Sequence, residues 1–128
     1  MRRNDYKKFN EELNIEYYEK ALSIMKMKVK NFEYSVFTDD IDWVKKQKIF
    51  NDAKLIHTSS DEPLDVINTF SLMLQNYNFI LANSTFSMLA SFISQKTDSI
   101  IISPYPWFKK SNKDELMDNK WNLIDVSN

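Results

Sequence analysis

The chain contains no cysteine and no glycine, and its only histidine is His57. Without cysteine there is no disulfide framework, no thiolate metal site and no thiol nucleophile. Without glycine, the phosphate cradles built on glycine-rich loops are excluded. One histidine leaves histidine-based metal clusters and serine–histidine–aspartate triads without their parts. Arginine is scarce too: of 17 basic residues only Arg2 and Arg3 are arginine, side by side. No apolar run approaches the roughly 18–20 residues that span a bilayer, and MRRNDYKKFNEELN has no apolar signal core. The expected location is cytoplasmic, with peripheral association at the inner face of a bacterial membrane as an extension. A formal net charge of −1 gives no footprint for nucleic acid.

What is present supports a single domain, since 128 residues with 43% apolar content can bury a core. Asn14 caps a predicted helix to about Lys30, with Ile15, Tyr18, Leu22, Met25 and Val29 as its apolar stripe. Strands are expected at Phe32–Phe37, Ala53–His57, Phe79–Ala82 and Ser99–Ile102. Between them fall helices over IDWVKKQKIF, from Pro63 onward with Leu64, Ile67, Phe70, Leu72 and Met73 buried, and over Ser84–Gln95. A last element lies near Trp121–Val126. Strand and helix alternate, and two strands are continuously apolar, which points to an α/β domain with a doubly wound parallel sheet. Ligands of such sheets bind at the carboxyl ends of the strands. Here those ends are Thr38-Asp39-Asp40, Thr58-Ser59, Asn83-Ser84-Thr85 and Ser103-Pro104.

Three features on that rim could carry chemistry. Asn83-Ser84-Thr85 reads first as a helix cap through a hydroxyl oxygen, and compatibly as a helix start whose remaining free N–H groups bind an anion. Arg2-Arg3 reads as a solvated start, or as a planar fork for a phosphate, which lysine cannot match. Asp39-Asp40 reads as a helix cap, or as a carboxylate pair facing the two adjacent donors of a guanine-type edge; no third ligand at a metal spacing accompanies it. His57 is expected to be structural, the three tryptophans to be core or interface anchors, and the lysine pairs to be solvated faces.

In chain order, Arg2-Arg3-Asn4-Asp5-Tyr6, Phe37-Thr38-Asp39-Asp40-Ile41-Asp42-Trp43, Ala82-Asn83-Ser84-Thr85-Phe86-Ser87, and Ile102-Ser103-Pro104 with Trp107-Phe108 resemble the family 11 glycosyltransferases, the α-1,2-fucosyltransferases. The resemblance implies an inverting, GDP-fucose-dependent transferase with a GT-B-like fold and a galactose-containing glycan as acceptor. It implies that Arg2 and Arg3 act catalytically by holding the donor diphosphate. Asp39, then Asp40, would meet the guanine, and Ser84, Thr85, Phe86 and Ser87 the phosphates and ribose. No metal or other cofactor is implied.

The family's motif carries a histidine two places before the arginine pair, and a tryptophan pair where this chain has Met88-Leu89. The chain thus corresponds to the C-terminal, donor-binding half, without its first strand and the N-terminal acceptor domain, and is expected to transfer little alone. The rival expectation is a non-catalytic α/β remnant or interaction module that self-associates through an open sheet edge.

Overall fold

The computed structural model describes residues 1, 3–8, 11–58, 60–108 and 117–127, with the backbone alone at Asp5. Its elements are α1 (Asn4–Lys7), α2 (Ile15–Lys28), β1 (Ser35–Thr38), α3 (Ile41–Lys46) with a 3-10 turn (Lys48–Phe50), β2 (Leu55–Thr58), α4 (Pro63–Met73), β3 (Phe79–Ile80), α5 (Thr85–Ser94), β4 (Ile101–Tyr105) and β5 (Asn122–Asp125). Every strand pairing is parallel, β1 with β2 and then β3 with β4 with β5. The fold is α/β and Rossmann-like, with helical crossovers linking β1, β2, β3 and β4.

Helix α2 starts where its cap predicts, since the Asn14 side chain accepts from the Tyr17 N–H at 3.2 Å. Its buried face is wider than the expected stripe, because Tyr17 and Ala21 join Tyr18, Leu22 and Met25. The helix ends at Lys28. Asn31 then turns the chain at φ 53, a left-handed conformation that asparagine tolerates and that serves this glycine-free chain.

Several expected boundaries move. Strands β1 and β2 lie later in the chain than predicted and reach Thr38 and Thr58. The single helix expected over residues 41–50 breaks at Gln47, whose backbone is extended, into α3 and the 3-10 turn. In α4 the expected burial of Leu64 and Ile67 is overturned, for they are 70% and 60% exposed, whereas Thr69 and Met73 are buried. The short helix α1 was not predicted.

Strand β4 continues past Ile102 through a proline. The Leu81 N–H bonds to the Ile102 carbonyl, so even-numbered residues of β4 face β3. Strand β3 ends too early to reach Pro104, so the proline forfeits no ladder bond there. On the other side β4 pairs with β5 through Tyr105↔Asp125.

The main core packs α2 against both groups of strands, joining Tyr18, Leu22 and Met25 to Val36, Val44, Phe50, Ala82, Ile102 and Ile124. A second cluster of Leu81, Met88, Ile101, Trp107 and Trp121 lies around β3, β4 and α5. Trp107 and Trp121 are thus core residues, as the sequence suggested. Among the described residues, no helix is long and apolar enough to cross a membrane.

Candidate functional site

Strand β1 delivers Asp39 and Asp40 to the carboxyl rim, and each carboxylate is engaged by protein groups. Asp39 accepts from the Arg3 N–H at 2.7 Å and from the Asn4 N–H at 3.3 Å, so it caps the start of α1. The Asn4 amide returns the contact by donating to the Asp39 carbonyl at 2.6 Å. Asp40 caps α3 by accepting from the Trp43 N–H at 3.1 Å, and it also takes the Lys7 ammonium at 2.6 Å. The Lys7 hydrogen bond, with the Trp43 N–H, holds the Asp40 carboxyl below the usual aspartate range against the opposing effect of partial burial.

The guanidinium of Arg3 is buried. It lies over the Trp43 ring at 3.7 Å, donates from Nη1 to the Leu13 carbonyl at 2.8 Å, and sets Nε 3.9 Å from Asp40. A cation desolvated on an indole face is stabilised by about 1–2 kcal/mol. Trp43 therefore serves as the seat of an arginine as well as a half-buried packing residue. Arg2 lies outside the described residues.

The β3 side of the rim is built differently from its expected cap. No side-chain oxygen of Ser84 accepts from the first turn of α5, which overturns the capping reading of that hydroxyl. Instead Ser87 Oγ donates to the Ser84 carbonyl at 3.0 Å. The early N–H groups of α5 therefore lack a hydroxyl cap, and these are the groups at which a helix presents its positive end. Ser84 is buried, Thr85 is exposed, and Phe86 tilts against Phe70 with ring centroids 5.2 Å apart.

Residues 11–13 strap the two sides together. Asn83 donates through Nδ2 to the Glu11 carbonyl at 2.7 Å, while Arg3 holds the Leu13 carbonyl two residues on. The sequence contains no local signal for this strap, because Glu11-Glu12 looks like a polar lead-in to α2. Asn83 is 2% exposed and its Oδ1 is a buried acceptor without a hydrogen-bond partner. The structure thus brings Arg3, Asp39 and Asp40 into one network with Asn83, the residue before Ser84.

His57 stands apart, in a structural role. Thr69 gives its hydroxyl proton to the Asp65 carbonyl at 2.8 Å, so the 2.9 Å contact from His57 Nε2 must carry the ring proton to Thr69 Oγ1. Among the described residues no three acidic, histidine or cysteine side chains gather as a metal site.

The sequence matches the family model "Glycosyl transferase family 11" over residues 1–125. It is 31% identical over 127 residues to the O-antigen biosynthesis glycosyltransferase WbnK of Escherichia coli, covering 94% of this chain and 42% of that protein. It is also 31% identical over 138 residues to an alpha-1,2-colitosyltransferase of Escherichia coli, covering 98% of this chain and 46% of that one. The chain thus spans less than half the length of these relatives. No solved structure matches it. With nearly its whole length inside the family model, the chain belongs to glycosyl transferase family 11.

Proposed function

We propose that this chain is the donor-binding domain of an inverting sugar transferase and that its donor is GDP-fucose. The observation that carries the reading is the strap of residues 11–13, which ties the Arg3–Asp39–Asp40 group to Asn83 at the start of α5. Asp39 or Asp40 would meet the guanine at one end. The N–H groups of α5, with Ser84, Thr85 and Ser87, would receive the phosphates at the other, and Phe86 would line the ribose.

Within the arginine pair, Arg2 is the proposed phosphate ligand, and Arg3, seated on Trp43, is the proposed support that aims it. As GDP leaves the sugar, negative charge builds on the β-phosphate. A fixed guanidinium and a helix N-terminus stabilise that charge without a metal, and that is the mechanism proposed here. The acceptor, a galactose-containing glycan linked through an α-1,2 bond, is bound in the complete transferase. The 128-residue chain alone binds donor and transfers little. The colitosyltransferase relative favours a second reading, in which the α-1,2 linkage is kept and the donor sugar is colitose.

The test is NMR titration of the chain with GDP, UDP and guanosine. GDP is expected to shift the amides of Asp39 and Thr85, and UDP to do so far less. Arg2→Ala should weaken GDP roughly 10- to 100-fold, the weight of a lost charged hydrogen-bond pair, and leave guanosine nearly unchanged. Millimolar GDP that moves neither amide would sink donor binding, and persistent oligomers without nucleotide response would favour the non-catalytic rival. Competition between GDP-fucose and a GDP-linked colitosyl donor separates the two sugars.

A further inference from the structure

Two aromatic side chains stand on the strand-end rim beside the start of α5. Tyr6, in α1, and Phe108, just past β4, are both half-buried, with ring centroids 6.4 Å apart and planes inclined at 35°. Trp107 meets Phe108 edge-on at 6.4 Å and is itself 2% exposed, so the pair has a buried backing. At that spacing the rings of Tyr6 and Phe108 pack on each other and admit nothing between them. What they offer is one continuous apolar wall.

Both rings are tied to the phosphate end of the proposed site. The Tyr6 carbonyl accepts from the Glu11 N–H at 3.1 Å, and the Glu11 carbonyl in turn accepts from Asn83 Nδ2 at 2.7 Å, one residue before Ser84. From the other side Phe108 packs against the cluster that holds Leu81 and Met88, which flank the same junction in the chain. Strand β3 stands between β1 and β4, since Phe37 of β1 and Ile80 of β3 line one cavity while the Phe79 and Leu81 N–H groups bond to β4. A nucleotide with its guanine toward Asp39 and its phosphates at α5 therefore directs its sugar toward β4 and these rings.

We infer that Tyr6 and Phe108 receive the C6 methyl group of a 6-deoxyhexose carried by the nucleotide, and so select 6-deoxy sugars against their 6-hydroxy counterparts. A methyl set against ring faces gains by leaving water, whereas a hydroxyl placed there exchanges water for weaker contacts. Fucose is 6-deoxygalactose and colitose is its 3-deoxy derivative, so both donors named above carry that methyl. The wall reads carbon 6 and is blind to carbon 3, and on this basis it serves either sugar. The inference rests on the donor-binding reading and adds to it the feature of the sugar that is recognised.

The test is the affinity of the 128-residue chain for GDP, GDP-L-fucose and GDP-L-galactose, measured by NMR. The galactose donor differs from the fucose donor only by a hydroxyl on carbon 6. GDP-L-fucose is expected to bind about tenfold or more tighter than GDP-L-galactose, and its C6 methyl to show NOEs to the Tyr6 and Phe108 rings. Tyr6→Ala and Phe108→Ala should each bring the ratio of the two affinities close to one. A contact that only packs α1 against the end of β4 would weaken both sugars alike, so an unchanged ratio overturns the inference. Where a variant fails to fold, the methyl NOEs of the unaltered chain decide.

The same titrations tell the two failures apart. If GDP itself leaves the Thr85 amide unmoved, the donor reading falls and the assignment of the wall falls with it. If all three ligands move Thr85, the two sugars bind equally and the methyl NOEs lead to other residues, donor binding stands and the wall is overturned.

Discussion

Asp39 and Asp40 are adjacent carboxylates with separate tasks. Asp39 serves backbone donors of α1, so Asp39→Ala should leave the Arg3 and Asn4 N–H groups uncapped and cost about 1–2 kcal/mol, read from urea midpoints. Asp40 serves α3 and Lys7, and its folded pKa is lowered chiefly by the Lys7 ammonium. A lowered pKa means the folded state binds the proton less readily than the unfolded chain. The stabilisation is therefore complete above the unfolded value of about 4 and is lost as pH falls through the lower folded value. Lys7→Met should raise the Asp40 midpoint in a carboxyl-resolved NMR titration and shrink that acid-side loss. An unmoved midpoint would show that Lys7 does not hold the carboxylate. The sequence left this pair open between cap and ligand, because local spacing is the same for both. The donors that engage Asp39 lie 35 and 36 residues away, beyond any local pattern.

At the level of elements, α4 shows where a helical pattern misleads. Leu64, Ile67, Phe70, Leu72 and Met73 do not share one stripe, and the buried side runs through Thr69 and Met73 with Val66 and Phe70 half-buried. A threonine hides that stripe from a hydropathy reading, and its burial is permitted by the bonds to Asp65 and His57. Ile67→Lys should then change stability by no more than about 0.5 kcal/mol, whereas Met73→Ala should cost about 2 kcal/mol or more by the same urea measurement. Equal losses would restore the expected face. The alternation of strand and helix was legible because periodicity switches sharply along the chain. The strand ends were not, since β1 and β4 stop where their neighbours stop offering partners.

Across the whole molecule, the α/β class followed from sequence, whereas the strand end expected at Ser103-Pro104 falls inside β4. The strap from Asn83 to Glu11 did not, because it depends on which strands are neighbours in space. With no backbone ladder between the two groups, α2 is the element that ties them, and it does so through consecutive residues. Tyr17 donates to the Leu81 carbonyl at 2.5 Å, at the end of β3, and burial pushes its phenol pKa up, keeping it a donor. Tyr18 turns to the other group, edge-on to Trp43 and Phe50 at centroid distances of 6.3 and 6.1 Å. Tyr17→Phe strands a buried carbonyl at about 1–3 kcal/mol, and Tyr18→Leu forfeits two aromatic contacts worth about 0.5–1.5 kcal/mol each. Native-state hydrogen exchange should therefore answer differently to the two changes. Tyr17→Phe should speed opening first at the amides of β3 and β4, and Tyr18→Leu first at those of β1 and β2. If both variants loosen the same amides equally, the strands already act as one cooperative sheet and α2 is not the tie between them.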